Sequence, residues 1–189
     1  MTSRQSHRGR SSGSSPQVAA KKGLNKRTPW WKVQLGDEFD GVLTYMNHSG
    51  PRLALLEAGL AATNTLHKVT FKSRDSAVHR TACVSLLTSY SQLHAETIGR
   101  VYGGGVLKFE LKDARRIPLL MPKRAVSKKV FFQVDRAVRA RAFDRAQSLA
   151  DAAILPIFFG STWQKVARSM TSTLEAARAR RGATASGKS

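Results

Sequence analysis

The stretch LHKVTF at residues 66–71, followed by SAVHRTACVSLLTSYSQLHAETI at residues 76–98, decides the fold class. In the first segment apolar and polar residues alternate with a period of two, which is typical of a half-buried strand. In the second segment the apolar residues recur at helical spacing, and Gly99 ends that pattern. This change of period predicts strands that pack against a helix.

The segments on either side extend the same prediction. Three further strands are expected, at residues 41–46, 52–56 and 106–109. The last third of the chain is predicted to be helical, with one helix from its N-cap Asp135 to residue 153 and an amphipathic helix over 161–178. The predicted fold class is therefore α+β: a small mixed β-sheet packed on one long helix, followed by a helical C-terminal segment.

The charge of the chain is strongly positive. Lys and Arg number 32 and Asp and Glu number 12, which gives a net charge of +20. Because the two ends are basic and rich in Ser, Gly and Ala, they are predicted to be disordered. The expected organisation is a basic arm at 1–23, an α+β domain at 24–122, a helical segment at 123–179 and a basic tail at 180–189. Such an excess of cations favours nucleic acid as the partner, with an anionic membrane surface as the alternative.

Several classes of protein are disfavoured by the residues present. No apolar run approaches the roughly 18 residues that a membrane span needs, and no apolar segment follows the N-terminal arginines, so we expect a cytoplasmic chain without a membrane partner. The single cysteine, Cys83, excludes an intrachain disulfide and is expected to be buried and inert on a helix face. The five histidines show no metal-ligand spacing, and no nucleotide-binding loop is present.

The glycine run at residues 103–105 lies between Tyr102 and Lys108. Three glycines allow close approach to another surface and positive φ, and their N–H groups can meet a phosphate. An ordinary glycine-rich hairpin without a ligand is the alternative. A second set of basic residues is expected to lie on more than one face of its helix, which favours a solvated surface over a binding stripe: Arg136, Arg139, Arg141 and Arg145.

A family resemblance is carried by a series of short motifs. They occur in the order PWW at 29–31, YM at 45–46, PR at 51–52, TNTLH at 63–67, YGGGVLKFEL at 102–111 and RIPL at 116–119. In this order and spacing, residues 28–122 resemble the C-terminal target-recognition region of adenine-specific DNA methyltransferases of bacterial restriction-modification systems. The resemblance implies a DNA-binding recognition domain in the bacterial cytoplasm, associated with the nucleoid.

The resemblance also implies that the catalytic part of such an enzyme is missing. That part holds a glycine loop for S-adenosylmethionine and a Pro-Pro loop for the flipped adenine, whereas no Pro-Pro dipeptide occurs here. We therefore expect no activity from this chain alone and no cofactor in it. S-adenosylmethionine is expected on a partner catalytic subunit, with this chain a split or truncated recognition portion. The docking surface for that subunit is expected to include Trp30, Trp31 and the apolar side of the 161–178 helix, with ordinary core as the alternative for the two tryptophans.

The candidate DNA-binding residues are those in the matching segments that suit base edges or phosphates. Arg and Lys suit guanine, Asn suits adenine, and glycine N–H groups suit phosphate. The candidates are Arg52, Asn64, His67, Arg100, Tyr102, Gly103, Gly104, Gly105 and Lys108. The alternative function is general binding of RNA or other nucleic acid without sequence specificity, although no RNA-recognition motif is present.

Overall fold

The computed structural model describes residues 39–56 and 65–186, with side chains to residue 183. The strands are β1 Gly41–Thr44, β2 Met46–Asn47, β3 Leu53–Leu55, β4 Leu66–Val69, β5 Arg100–Tyr102 and β6 Val106–Lys108. The helices are α1 Ser76–Leu86, α2 Ser89–Ile98, α3 Leu111–Ala114, α4 Lys128–Arg139, α5 Phe143–Phe159 and α6 Trp163–Ser186. The predicted basic arm at 1–23, Trp30, Trp31 and Asn64 lie outside the described residues.

The described strands form two antiparallel sheets, each of three strands. The first sheet has the order β3-β1-β4 and the second the order β2-β6-β5. The chain passes from the first sheet to the second at Tyr45, whose carbonyl oxygen accepts a hydrogen bond of 3.0 Å from the Phe109 amide. The α+β class is confirmed, and the strands predicted at 66–71 and 106–109 correspond to β4 and β6.

The helix predicted over 76–98 is divided into α1 and α2. Thr88 is the N-cap of α2, and its hydroxyl accepts a hydrogen bond of 3.3 Å from the Ser91 amide. The same hydroxyl donates a hydrogen bond of 2.7 Å to the Ser85 carbonyl, so a carbonyl group at the end of α1 gains a partner. One threonine therefore serves two helix ends, while the apolar spacing continues across the break.

The prediction that Asp135 caps a helix reaching residue 153 is wrong. Ser127 is the N-cap of α4, and Asp135 lies inside that helix, where it accepts a hydrogen bond of 2.7 Å from Arg139 four residues later. A second helix, α5, then begins at Phe143 and contains Pro156 in its last turn. The final helix α6 continues to Ser186, so the boundary expected near residue 180 falls inside a helix.

Two apolar clusters hold these elements together. The larger one joins α1, α4 and α5 through Val84, Val134 and Ile154, and the smaller one joins α2 to β6 through Ala95 and Leu107. All five side chains are at most 3% exposed. Burying each of the larger aliphatic side chains stabilises the fold by about 1.5–3 kcal/mol, so the second sheet and the helices form one packed unit.

A buried carboxylate links α5 to the start of α2. Asp151 is 4% exposed and accepts a hydrogen bond of 2.7 Å from the Ser89 amide at the first residue of α2. Burial raises the pKa of Asp151 to about 6, and the hydrogen bonds from Ser89 oppose that rise only in part. The folded protein therefore binds the Asp151 proton more tightly than the unfolded chain does.

The Asp151→Asn variant should reveal this coupling as a dependence of stability on pH. A raised folded-state pKa contributes stability that is present below about pH 4 and lost as pH rises through about 6. Above pH 7 we expect the Asn variant to gain about 1–3 kcal/mol in free energy of unfolding relative to wild type. Urea unfolding at half-unit pH steps measures the difference, with Asp144→Asn on the exposed start of α5 as control. If the difference in free energy of unfolding between Asp151→Asn and wild type were the same at pH 4 and pH 7, the prediction would be contradicted.

Candidate functional site

Three of the predicted DNA-binding residues, Arg100, Tyr102 and Lys108, come together with Met46 on the second sheet. Strand pairing places Lys108 opposite Met46 on β2 and opposite Arg100 on β5. Paired residues of antiparallel strands share a face, and Tyr102 lies two residues after Arg100, so all four side chains lie on the same side of the sheet. We call Met46, Arg100, Tyr102 and Lys108 the hairpin face.

Lys108 is the central group of the hairpin face. Its ammonium lies 2.8 Å from a Glu110 carboxylate oxygen and 5.2 and 5.4 Å from the ring centroids of Tyr45 and Tyr102. The Tyr45 hydroxyl donates a hydrogen bond of 3.2 Å to the same carboxylate. Hydrogen bonds to Glu110 and Tyr45 raise the pKa of Lys108, and the one from Lys108 lowers the pKa of Glu110. Lys108 therefore stays charged and is held in one position.

Arg100 is also paired with an acid. Its Nε lies 3.2 Å from the buried Asp113 carboxylate, while the arginine side chain remains 53% exposed. Asp113 also accepts a hydrogen bond of 3.3 Å from the Glu110 amide. Since both cations of the hairpin face have an acidic partner, this face offers positioned donors and the exposed ring of Tyr102 rather than a strong positive field.

His67 has a positioning role below the hairpin face. Its Nε2 donates a hydrogen bond of 2.7 Å to the Phe109 carbonyl, and its ring meets the Tyr45 ring edge-on at 5.2 Å between centroids. The side chain is half-buried between β4 and the end of β6. It thus joins the first sheet to the second and holds the Tyr45 ring beside Lys108.

Arg52 does not join this group. Its guanidinium lies 4.7 Å from the centroid of the Phe143 ring at the start of α5, and burial lowers its pKa. Its backbone amide donates a hydrogen bond of 2.9 Å to the Thr44 hydroxyl. The arginine therefore packs the β2–β3 turn against α5.

The three glycines form a single 3₁₀ turn between β5 and β6. Gly104 and Gly105 have φ near +70°, a conformation that residues with a Cβ rarely adopt. A Cβ at Gly103 or Gly104 would meet nothing within 4 Å, so this part of the turn is open to a partner. Gly105 is buried, and its carbonyl accepts a hydrogen bond from Arg181 of α6. The open turn is thus anchored at one end.

A basic segment after the hairpin was missed by the site prediction. Residues 111–129 contain seven Lys/Arg and one acid, Asp113, which is buried against Arg100. All seven cations are exposed: Lys112, Arg115, Arg116, Lys123, Arg124, Lys128 and Lys129. This seven-to-one charge ratio over a short segment is the sequence signal that could have identified it.

The basic segment is held against the helices by its uncharged residues. Ile117 packs on the cluster that contains Leu107. The Pro118 carbonyl accepts a hydrogen bond of 2.7 Å from the Ser91 hydroxyl, and the Val126 amide donates one of 3.0 Å to the Thr81 hydroxyl. The backbone is thereby fixed while the cationic ends face solvent. Cations on a backbone that is already held lose less entropy on meeting phosphates than cations on a mobile segment.

Other kinds of site find no support in the described part of the chain. No cluster of His, Cys, Asp and Glu there could hold a metal ion, and no described helix is long and apolar enough to cross a membrane. Cys83 is buried as predicted, and burial, then the charge of Asp135, raises the pKa of its thiol to about 12. This thiol is unreactive at neutral pH.

Comparison with known proteins gives one match. Residues 3–155 match the family described as Type II methyltransferase M.Eco57I, C-terminal domain. The matched range contains the hairpin face, the glycine turn and the basic segment. No curated protein and no solved structure matches the chain.

Proposed function

Because the chain belongs to the family of Type II methyltransferase C-terminal domains typified by M.Eco57I, we propose that it is the DNA target-recognition portion of an adenine-specific methyltransferase of the restriction-modification type. The family agrees with the resemblance carried by residues 28–122, and the match continues to residue 155 in α5. The methyl-transfer step is assigned to a catalytic part that carries S-adenosylmethionine, and target recognition is assigned to this chain.

The basic segment is the observation that carries the DNA-binding part of the proposal. Its seven exposed cations are carried by a backbone that is held against the helices next to the hairpin face, and its one acid is already paired. Such a row suits contacts with phosphates, which set the position and register of a protein on a duplex. Binding of this kind is strong at low salt and carries no sequence information by itself.

The hairpin face is proposed to supply contacts with bases. Arg100 and Lys108 are held in position by Asp113 and Glu110, as side chains must be to distinguish one base edge from another. Gly103 and Gly104 leave space for the approach of a backbone. Of the other candidates, Arg52 and His67 are assigned positioning roles, and Asn64 remains a proposed contact.

A comparison of nucleic acids tests the proposal. Fluorescence anisotropy at 150 mM salt would measure binding to a random-sequence DNA duplex and to a structured RNA of equal charge. We expect the duplex to bind at least about tenfold more tightly, because the groove geometry of A-form RNA withholds the base edges that the hairpin face would read. Equal affinity for both would favour the alternative of general nucleic-acid binding.

A further inference from the structure

A concavity between α4 and α5 gathers basic groups that are dispersed in the sequence. It has a volume of about 630 Å³, and its lining includes Lys129, Phe132, Gln133, Arg136, Ala140 and Arg145. Phe132, Gln133 and Arg136 follow Lys129 by three, four and seven residues, so these four positions lie on one face of α4, and Ala140 is the C-cap of that helix. We call this concavity the α4–α5 groove.

The charges in the α4–α5 groove have no acidic counterpart among the described lining residues. Lys129, Arg136 and Arg145 are exposed, and none of them forms an ion pair with a described acid. The two nearest acids in the sequence point elsewhere. Asp135 is bound by Arg139, and both line a different concavity beside the first sheet.

The second of these acids, Asp144, lines a third concavity together with Arg178 and the β2–β3 turn. The fold therefore separates the arginines of this region into two kinds. Arg139 is neutralised by Asp135 of its own helix, whereas Arg136 and Arg145 both line a groove with no acid among its described lining residues. The sequence alone predicts all of them as one solvated set, because it does not show how α4 and α5 are paired.

We propose that the α4–α5 groove binds the phosphate backbone of one strand of duplex DNA, a contact that rests on the proposed function and lies beyond the hairpin face. Lys129 and Arg136 are seven residues apart, which is about 10 Å along the helix axis. One strand carries a phosphate per about 3.4 Å of the duplex axis, so cations at this separation can reach different phosphates of the same strand. The groove continues the basic segment, since Lys129 belongs to both.

Two further side chains suit this ligand. Gln133 lies between Lys129 and Arg136 on the same face, and its amide can donate to a phosphate oxygen. Phe132 is 60% exposed beside them, and an exposed aromatic ring offers the sugar an apolar surface. Ala137, Ala140 and Ala142 also line the groove, and their small side chains keep this part of it open.

A charge-matched pair of variants tests the proposal. The double variant Arg136→Gln/Arg145→Gln removes two cations from the groove, and Lys165→Gln/Arg168→Gln removes two exposed cations from α6. We expect the groove variant to reduce the magnitude of the salt slope of duplex binding by about 2 and to weaken binding between ten- and one-hundredfold at 0.1 M salt. The α6 variant should change affinity less than about threefold. Equal effects of the two variants would overturn the groove assignment.

A crosslinking experiment gives an independent measurement. Since Cys83 is buried, a photo-crosslinker attached through a cysteine introduced by Gln133→Cys reports on the groove, and Gln164→Cys on exposed α6 is the control. The Gln133 position should crosslink to duplex DNA and the Gln164 position should not. If wild type binds duplex and Gln133 gives no crosslink, the groove proposal fails alone. If wild type binds no duplex at all, the proposed function fails with it.

Discussion

Replacing Arg181 with Met should lower the free energy of unfolding by about 3–5 kcal/mol, because the buried Glu96 carboxylate loses its closest cation and keeps only Arg178, 3.9 Å away. Arg181 is 7% exposed, and its Nε lies 2.6 Å from a carboxylate oxygen of Glu96, whose side chain is 4% exposed. Its other nitrogens donate hydrogen bonds to the Gly105 carbonyl and, at 2.8 Å, to the His48 carbonyl. One guanidinium thus joins α6 to α2, the glycine turn and the β2–β3 turn.

The measurement is urea unfolding followed by circular dichroism, with Arg168→Met on the exposed side of α6 as the matched control. The control should change stability by less than about 0.5 kcal/mol. The double variant Arg181→Met/Glu96→Gln should recover part of the loss, since it removes the buried charge that has lost its closest cation. A single Arg181→Met variant within about 1 kcal/mol of wild type would show that the pair is not structural.

The burial of Arg181 and its pairing with Glu96 could not be predicted from the sequence. The residues around it are small, basic and polar, a composition that predicted a disordered tail from residue 180. Its partner Glu96 is 85 residues away in the chain, and no periodic pattern connects the two. Burial of an arginine depends on which helices pack together, which composition does not reveal.

Local sequence patterns predicted the presence of helices and strands better than the residues at which they begin and end. The period of two identified β4, and Gly99 was correctly expected to end the helical pattern at α2. The start of α4 was missed because Ser127 has Val130, not Glu or Gln, three residues later, so the capping-box pattern is absent. Helix spacing in α1 and α2 stays in phase across Thr88, and therefore the break left no sign in the apolar pattern.

Local motifs likewise indicated some residues of the candidate site but not the contacts that these residues make. The motif around the glycines identified Arg100, Tyr102 and Lys108, which the strand pairing of β5 and β6 places on one face. The motif does not show that Arg100 pairs with Asp113 and Lys108 with Glu110, because those contacts depend on how α3 follows the hairpin. The RIPL motif at 116–119 lies within residues 111–129, but the motifs do not indicate that the cations of this segment form one exposed group.

Removing four cations of the basic segment should have the largest effect on DNA binding. For wild type we expect log K against log salt to have a slope near −5, as for about six phosphate contacts. The variant Lys112→Gln/Arg115→Gln/Lys123→Gln/Arg124→Gln should reduce the slope to between about −1 and −2, since each lost phosphate contact removes about 0.9. If the two lines meet near 1 M salt, this change weakens binding roughly a thousandfold at 0.1 M.

The control for this variant removes the same number of charges elsewhere. Lys72, Arg74, Lys165 and Arg168 are exposed on other elements, and their replacement by Gln lowers the net charge equally. A general field of +20 acting at a distance would make the two quadruple variants equivalent, because it depends on total charge. Direct contact with phosphates makes them different, because only cations that release counterions change the slope. Parallel salt plots for the two variants would therefore contradict a defined DNA surface on residues 111–129.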